Sequence, residues 1–188
     1  MSSDFTIRLP EDSARTADRL GIADAAYLYG AAVDIIGNSP LVPGATDSAL
    51  SEATSVFGQS MLPDAQLRLF LAGPNGQSQP LGQGGAEGCA QAVRSYFSAY
   101  GYVGTQHPVS NVRVAFTGFH SANGICQIPC LHWLADGRML LAPVSYRDEF
   151  RRVDGVWKIA KRDIFAMRFW IGEGYAPNPL DPRMARDA

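Results

Sequence analysis

The chain has 188 residues, of which 46% are hydrophobic and 18% charged, enough apolar content to bury a core in one ordinary domain. A formal net charge of −2 leaves no basic footprint, so nucleic acid is not an expected partner. No apolar run of about 20 residues stands out as a membrane span. The first ten residues lack the basic-then-apolar pattern of a secretory leader. Three cysteines, Cys89, Cys126 and Cys130, are odd in number and lack zinc spacing, which reads as free thiols in a reducing cytoplasm.

Taken in order, residues 1–17 read as a loose N-terminal arm, and helical spacing starts near Thr16 with Leu20, Ala23, Tyr27, Gly30 and Ala31. This helix is expected to reach Ile36 and stop at Gly37-Asn38. Asp34 falls in its last turn, the unfavourable end of the helix dipole for a carboxylate. It either faces solvent or is held for a cationic or hydrogen-bonding partner. Residues 38–47 form a Pro/Gly loop, and a short helix follows from about Asp47. Ala65–Leu71 alternates as a strand, and Gly73–Gln79 reads as a turn-rich insert. Gly82–Gly88 lacks the register and the Lys-Ser/Thr of a phosphate loop and instead leads into a helix over 86–100.

The second half reads as a meander of four antiparallel strands. Val112–Thr117 is the first; His120–Gly124 is a turn; Ile125–Trp133 is the second. Ala135-Asp136-Gly137 turns into Met139–Phe150, and Asp154-Gly155 supplies a tight hairpin into Val156–Phe169. Alternation puts Ala142, Val144, Tyr146 and Asp148 on one face. It also sets Arg162 across from the Trp157 face. Ile128, Cys130 and His132 share a face that is apolar except for one titratable tip. Residues 171–188, rich in Gly and Pro, read as an irregular tail. Helices first and a meander last imply an α+β fold, its sheet curled around the first helix to leave an apolar cone.

Several segments carry a resemblance: Ala31-Ala-Val-Asp34, His107-x-x-x-Asn111, Tyr146-x-Asp148-x-Phe150 and Asp154-Gly-Val-Trp157-Lys-Ile-x-x-Arg162. Over most of residues 18–165 the chain resembles the SnoaL-like branch of the nuclear transport factor 2-like family. That branch includes scytalone dehydratase, hexachlorocyclohexane dehydrochlorinase, bile-acid dehydratase and polyketide cyclases. The resemblance implies a cone-shaped α+β barrel over 18–170, with N-terminal helices packed in a curved, mostly antiparallel sheet. It implies His107 as general base with Asp34 as its orienting partner, and His132 as an acid or hydrogen-bond donor. Arg162 and Tyr29 match active-site positions of the dehydrochlorinase and the bile-acid enzyme, while Tyr146, Cys130 and Ile128 are expected along the pocket.

Histidine suits the role because its ordinary pKa, about 6.5, lies close to neutral pH, and a carboxylate at Nδ1 fixes its tautomer. The expected activity is a lyase or isomerase of the dehydratase type, in secondary metabolism, using no cofactor and no metal. Its partner would be a small hydrophobic, polycyclic or polyketide-like molecule. A polyketide cyclase or epoxide hydrolase, or a non-catalytic binding or assembly subunit, is the alternative on the same scaffold. The family also implies a homo-oligomer, dimer or trimer.

Overall fold

A computed structural model describes residues 14–41, 44, 46–71, 78–82, 84–166 and 169–172. Three helices, α1 (Ala14–Asn38), α2 (Thr46–Ser60) and α3 (Gly85–Tyr100), pack against one strongly curled sheet that forms a half-barrel. Its strands are β1 (Met61–Leu71), β2 (Ser78–Gly82), β3 (Tyr102–Gln106), β4 (Ser110–Phe116), β5 (Ser121–Leu134), β6 (Met139–Val153), β7 (Val156–Ala166) and β8 (Trp170–Gly172). The order is β2-β1-β7-β6-β5-β3, with β4 also on β5 and β8 also on β6. Among the described strands, only β1 against β7 is parallel. The α+β cone expected from the sequence is the fold observed.

Ala-rich α1 is the axle. Ile22, Ala25, Ala26, Tyr29, Ala32, Val33 and Ile36 are all buried, a stripe at helical spacing facing the sheet. The α-helix ends at Asn38 and tightens into a 3-10 turn over Ser39–Leu41, where the Ser39 hydroxyl donates to the Ile36 carbonyl at 2.8 Å. By length and hydropathy alone the stretch 15–41 is apolar enough to span a membrane, contrary to the sequence reading. Half of its most apolar window is buried inside the molecule, which gives that apolarity a core role.

Several boundaries differ from expectation. The helix starts at Ala14, inside the expected arm. Residues 1–13 and 173–188 lie outside the described residues, as do 72–77 of the expected insert. Ser78 and Gln79 are strand, paired with Phe70 and Leu69. The supposed turn at 120–124 is the start of β5, because Ala122 and Gly124 pair with both Phe116/Val114 and Phe150/Asp148. Trp170–Gly172 pairs with β6, so strand structure runs two residues into the expected tail.

Asp154 and Gly155 both take positive φ (50° and 82°), the two-residue turn whose twist suits a right-handed hairpin. Five residues past the turn the parity changes. Glu149 pairs with Lys161 but Phe150 pairs with Ile159, so Ala160 is an extra residue in β7. The bulge turns Arg162 inward, onto the face of Trp157 and Ile159, and leaves Lys161 outside with Glu149.

Candidate active site

Asp34 and His107, 73 residues apart, meet where α1 crosses the sheet edge. Both β3 and β4 pair with β5, and the break between them contains His107. Pro108 follows, with no N–H to give to a ladder, and it biases His107 towards extended backbone. On α1, Gly30, Asp34, Gly37 and Asn38 follow helical spacing along the stripe facing this break. Gly37 allows the approach: a Cβ there would overlap the Thr105 side chain. Asn38 then holds the strand as a neighbouring strand would, accepting the Thr105 N–H at 2.8 Å and donating to its carbonyl at 3.0 Å.

The Asp34 carboxylate accepts three donors. Its Oδ2 takes the His107 backbone N–H at 2.9 Å, and its Oδ1 takes the Thr105 hydroxyl at 2.9 Å. His107 Nδ1 lies 2.6 Å from Oδ1. A carboxylate only accepts, so Nδ1 carries the proton and Nε2 keeps the lone pair. These contacts explain a negative charge at the C-terminal end of α1, where the dipole opposes it.

The His107 ring lines a cavity of about 80 Å³ between α1, α3 and the concave sheet. By the same measure a single water needs only about 10–15 Å³, so there is room for a larger guest. Its wall is aliphatic and aromatic, from Val33 and Val93 through Phe97 to Val144, Ile164 and Phe169. Among the described residues, no Asp, Glu, Lys or Arg lines it. The polar tips are those of His107, His132, Cys130 and the tyrosines 29, 96, 102 and 146.

His132 stands edge-on to His107, ring centroids 5.3 Å apart, and lies flat on Tyr102 at 4.4 Å. Burial, with a smaller push from His107, lowers its pKa to about 3. It is therefore neutral near pH 7 and not an imidazolium acid; what it offers is a neutral N–H and a lone pair. Its Nδ1 is buried without a hydrogen-bond partner among the described residues. Burial also pushes the Cys130 thiol up to about 12, which makes it a poor nucleophile.

Tyr29 and Tyr146 line the cavity, while two residues expected there do not. Ile128 is buried in the core, on the same face of β5 as Cys130. Arg162 lies behind the tyrosines, its Cζ 4.0 Å from the Tyr29 ring centroid and 4.2 Å from that of Tyr146. Asp148 accepts hydrogen bonds of 2.8 and 2.7 Å from Nε and Nη2, while Nη1 is buried without a hydrogen-bond partner among the described residues. The bulge at Ala160 is the physical reason: it turns Arg162 into the core, where the rings seal it from the hollow. Thr105, Asn38 and the aromatic wall of Tyr96 and Tyr102 escaped the sequence reading. The one available signal was that Thr105, two residues before His107, shares its side of an extended chain.

The comparisons with known proteins agree with this architecture. A model described as a SnoaL-like domain matches residues 53–163. Hexachlorocyclohexane dehydrochlorinase 1 of Sphingobium indicum is 38% identical over 61 residues, 32% of this chain. The chain thus spans about 40% of the length of the curated relative it matches. The crystal structure of hexachlorocyclohexane dehydrochlorinase LinA-type3 from Novosphingobium barchaimii superposes with a TM-score of 0.65 at 22% identity, covering 88% of this chain and 97% of that one. A candidate scytalone dehydratase of Novosphingobium aromaticivorans gives 0.59 at 17%, covering 89% and 95%. At such identities these two structures establish likeness of fold.

Proposed function

The chain belongs to the SnoaL-like domain family, and on that premise we propose that it is a cofactor-independent lyase of the dehydratase or dehydrochlorinase type. His107 Nε2 removes an acidic C–H proton from a small uncharged, apolar molecule. Asp34 holds the ring and stabilises the imidazolium that forms. Proton transfer by a positioned base of this kind is typically worth about 10²–10⁴-fold. As the proton leaves carbon, the C–H pair becomes the new double bond and the neighbouring hydroxide or halide departs. His132, as a neutral donor, and the Tyr29 and Tyr146 hydroxyls are available to that leaving group.

The observation that carries this reading is the 2.6 Å Asp34–His107 contact at the wall of a hollow that, among the described residues, no Asp, Glu, Lys or Arg lines. An apolar surround favours neutral substrates, because no fixed charge offsets the desolvation of a charged one. The test is a panel of neutral cyclic molecules carrying a leaving group beside an acidic C–H, hexachlorocyclohexane among them, with release of acid followed over time. Wild type releases acid from at least one member and His107→Ala does not. Equal release by both, or release by neither, sinks the proposal.

A homo-oligomer formed through the outer sheet is part of the same reading. Leu131, Leu141 and Trp170 are adjacent across β5, β6 and β8 on that face, and Trp170 is 57% exposed. Sedimentation should show a dimer or trimer that Trp170→Glu reduces to monomer; a monomeric wild type contradicts this.

A further inference from the structure

Asp34 receives one donor that the base reading does not use. The Thr105 hydroxyl donates to Oδ1, the same oxygen that faces His107 Nδ1. Thr105 is 3% exposed and is not part of the cavity wall, so it does not touch a bound guest. Its own freedom is small: Asn38 holds its backbone from both sides, and its side chain fills the notch left by Gly37. The hydroxyl is therefore a fixed post. The terminal torsion of an aspartate, by contrast, has broad wells, and a carboxylate with fewer donors turns more easily.

We propose that Thr105 is a positioning residue: its hydroxyl, fixed by Asn38 and the Gly37 notch, locks the Asp34 carboxylate so that Oδ1 faces His107 Nδ1 and Oδ2 faces the His107 amide. The consequence is a single imidazole tautomer. With Oδ1 held by Thr105 and Oδ2 by the backbone N–H, the carboxylate presents one geometry to the ring. Loss of the hydroxyl lets it rotate, loosens the Nδ1–H bond and admits the tautomer protonated at Nε2, which has no lone pair facing the hollow. This inference rests on the reading of His107 as the base, but its observable needs no turnover.

The test uses the full chain with ¹⁵N-labelled histidine, the His107 signals being identified by their loss in His107→Gln. Wild type and Thr105→Ser should show His107 protonated at Nδ1 with a slowly exchanging proton. Thr105→Val should exchange that proton about tenfold faster, the scale of one hydrogen bond to a charged group, and populate the Nε2–H form. If Thr105→Val fails to fold, the smaller Thr105→Ala is read in the same way. A hydroxyl-free variant with wild-type exchange and tautomer overturns the proposal, as does failure of both variants to fold, which would make the residue structural. A normal Nδ1–H signature in a wild type that turns nothing over sinks the base reading instead. Where a substrate is in hand, Thr105→Val should lower kcat and leave KM unchanged.

Discussion

Asp34 and Asp148 each face a cationic or potentially cationic partner, in contrasting surroundings. Asp148 and Arg162 are sealed, with side chains 1% and 0% exposed, and each charge is answered inside the core. Asp34 is 25% exposed on its side chain, and its partner His107 lines the hollow. In the first pair a permanent guanidinium is held by two hydrogen bonds and two aromatic faces. In the second, the partner is a ring that can take up and release a proton. Burial and hydrogen bonding alone therefore do not single out the pair proposed to move a proton. What marks it is a titratable partner with one nitrogen committed and the other beside open space.

The comparison is broken most sharply by making the same change at both sites. Asp34→Asn should lower turnover about 10²–10⁴-fold while the folded state persists, because the ring loses its carboxylate but no core contact. Asp148→Asn should do the reverse. Removing one partner of a buried pair leaves an uncompensated charge and costs roughly 3–5 kcal/mol, read as a lower urea midpoint. The double change Asp148→Leu with Arg162→Met should recover most of that loss, since apolar replacement of a whole pair is often near neutral. If Asp148→Asn proves as stable as wild type, the Asp148–Arg162 pair does not hold the core together.

A smaller effect separates His132 from His107. Folding holds His132 at about 3, whereas its unfolded value is about 6.5. Below the unfolded value the unfolded chain binds more protons, so stability present above pH 6.5 is lost as the pH falls towards 3. Between pH 7 and pH 4.5 the loss from this one group is about 2–3 kcal/mol, at about 1.4 kcal/mol per unit. His132→Phe should flatten that part of the pH–stability curve; an unchanged slope would mean the ring is not buried as described. The smallest effect lies outside both pairs. Trp157 Nε1 donates to Asp18 at 2.8 Å, and Trp157→Phe should cost about 1 kcal/mol with no change in tautomer at His107.

How far the sequence could be read follows from where strands stay regular. Asp154-Gly155 announced its hairpin because few pairs tolerate two positive φ values. Ile128, Cys130 and His132 fall on one face because β5 runs unbroken through them. Arg162 escaped the same reasoning because one extra residue at Ala160 reverses the alternation, and nothing in Ile-Ala-Lys-Arg signals a bulge. The short strands β2, β3 and β8 were missed for another reason. Their five, five and three residues carry too few alternations to stand out, and their pairing is decided by distant partners. The Asp34–His107 pairing came from a resemblance, since no local pattern links positions 73 residues apart. The Asn38 clamp and the Gly37 notch that bring them together are visible only in three dimensions.

The most direct measurement follows the proton itself. A neutral substrate from the panel is incubated in heavy water, and deuterium entering its acidic carbon is followed by mass spectrometry. Proton removal by His107 predicts wash-in or elimination with wild type, at least a hundredfold less with Asp34→Asn, and none above background with His107→Ala. Undiminished wash-in by His107→Ala would contradict it.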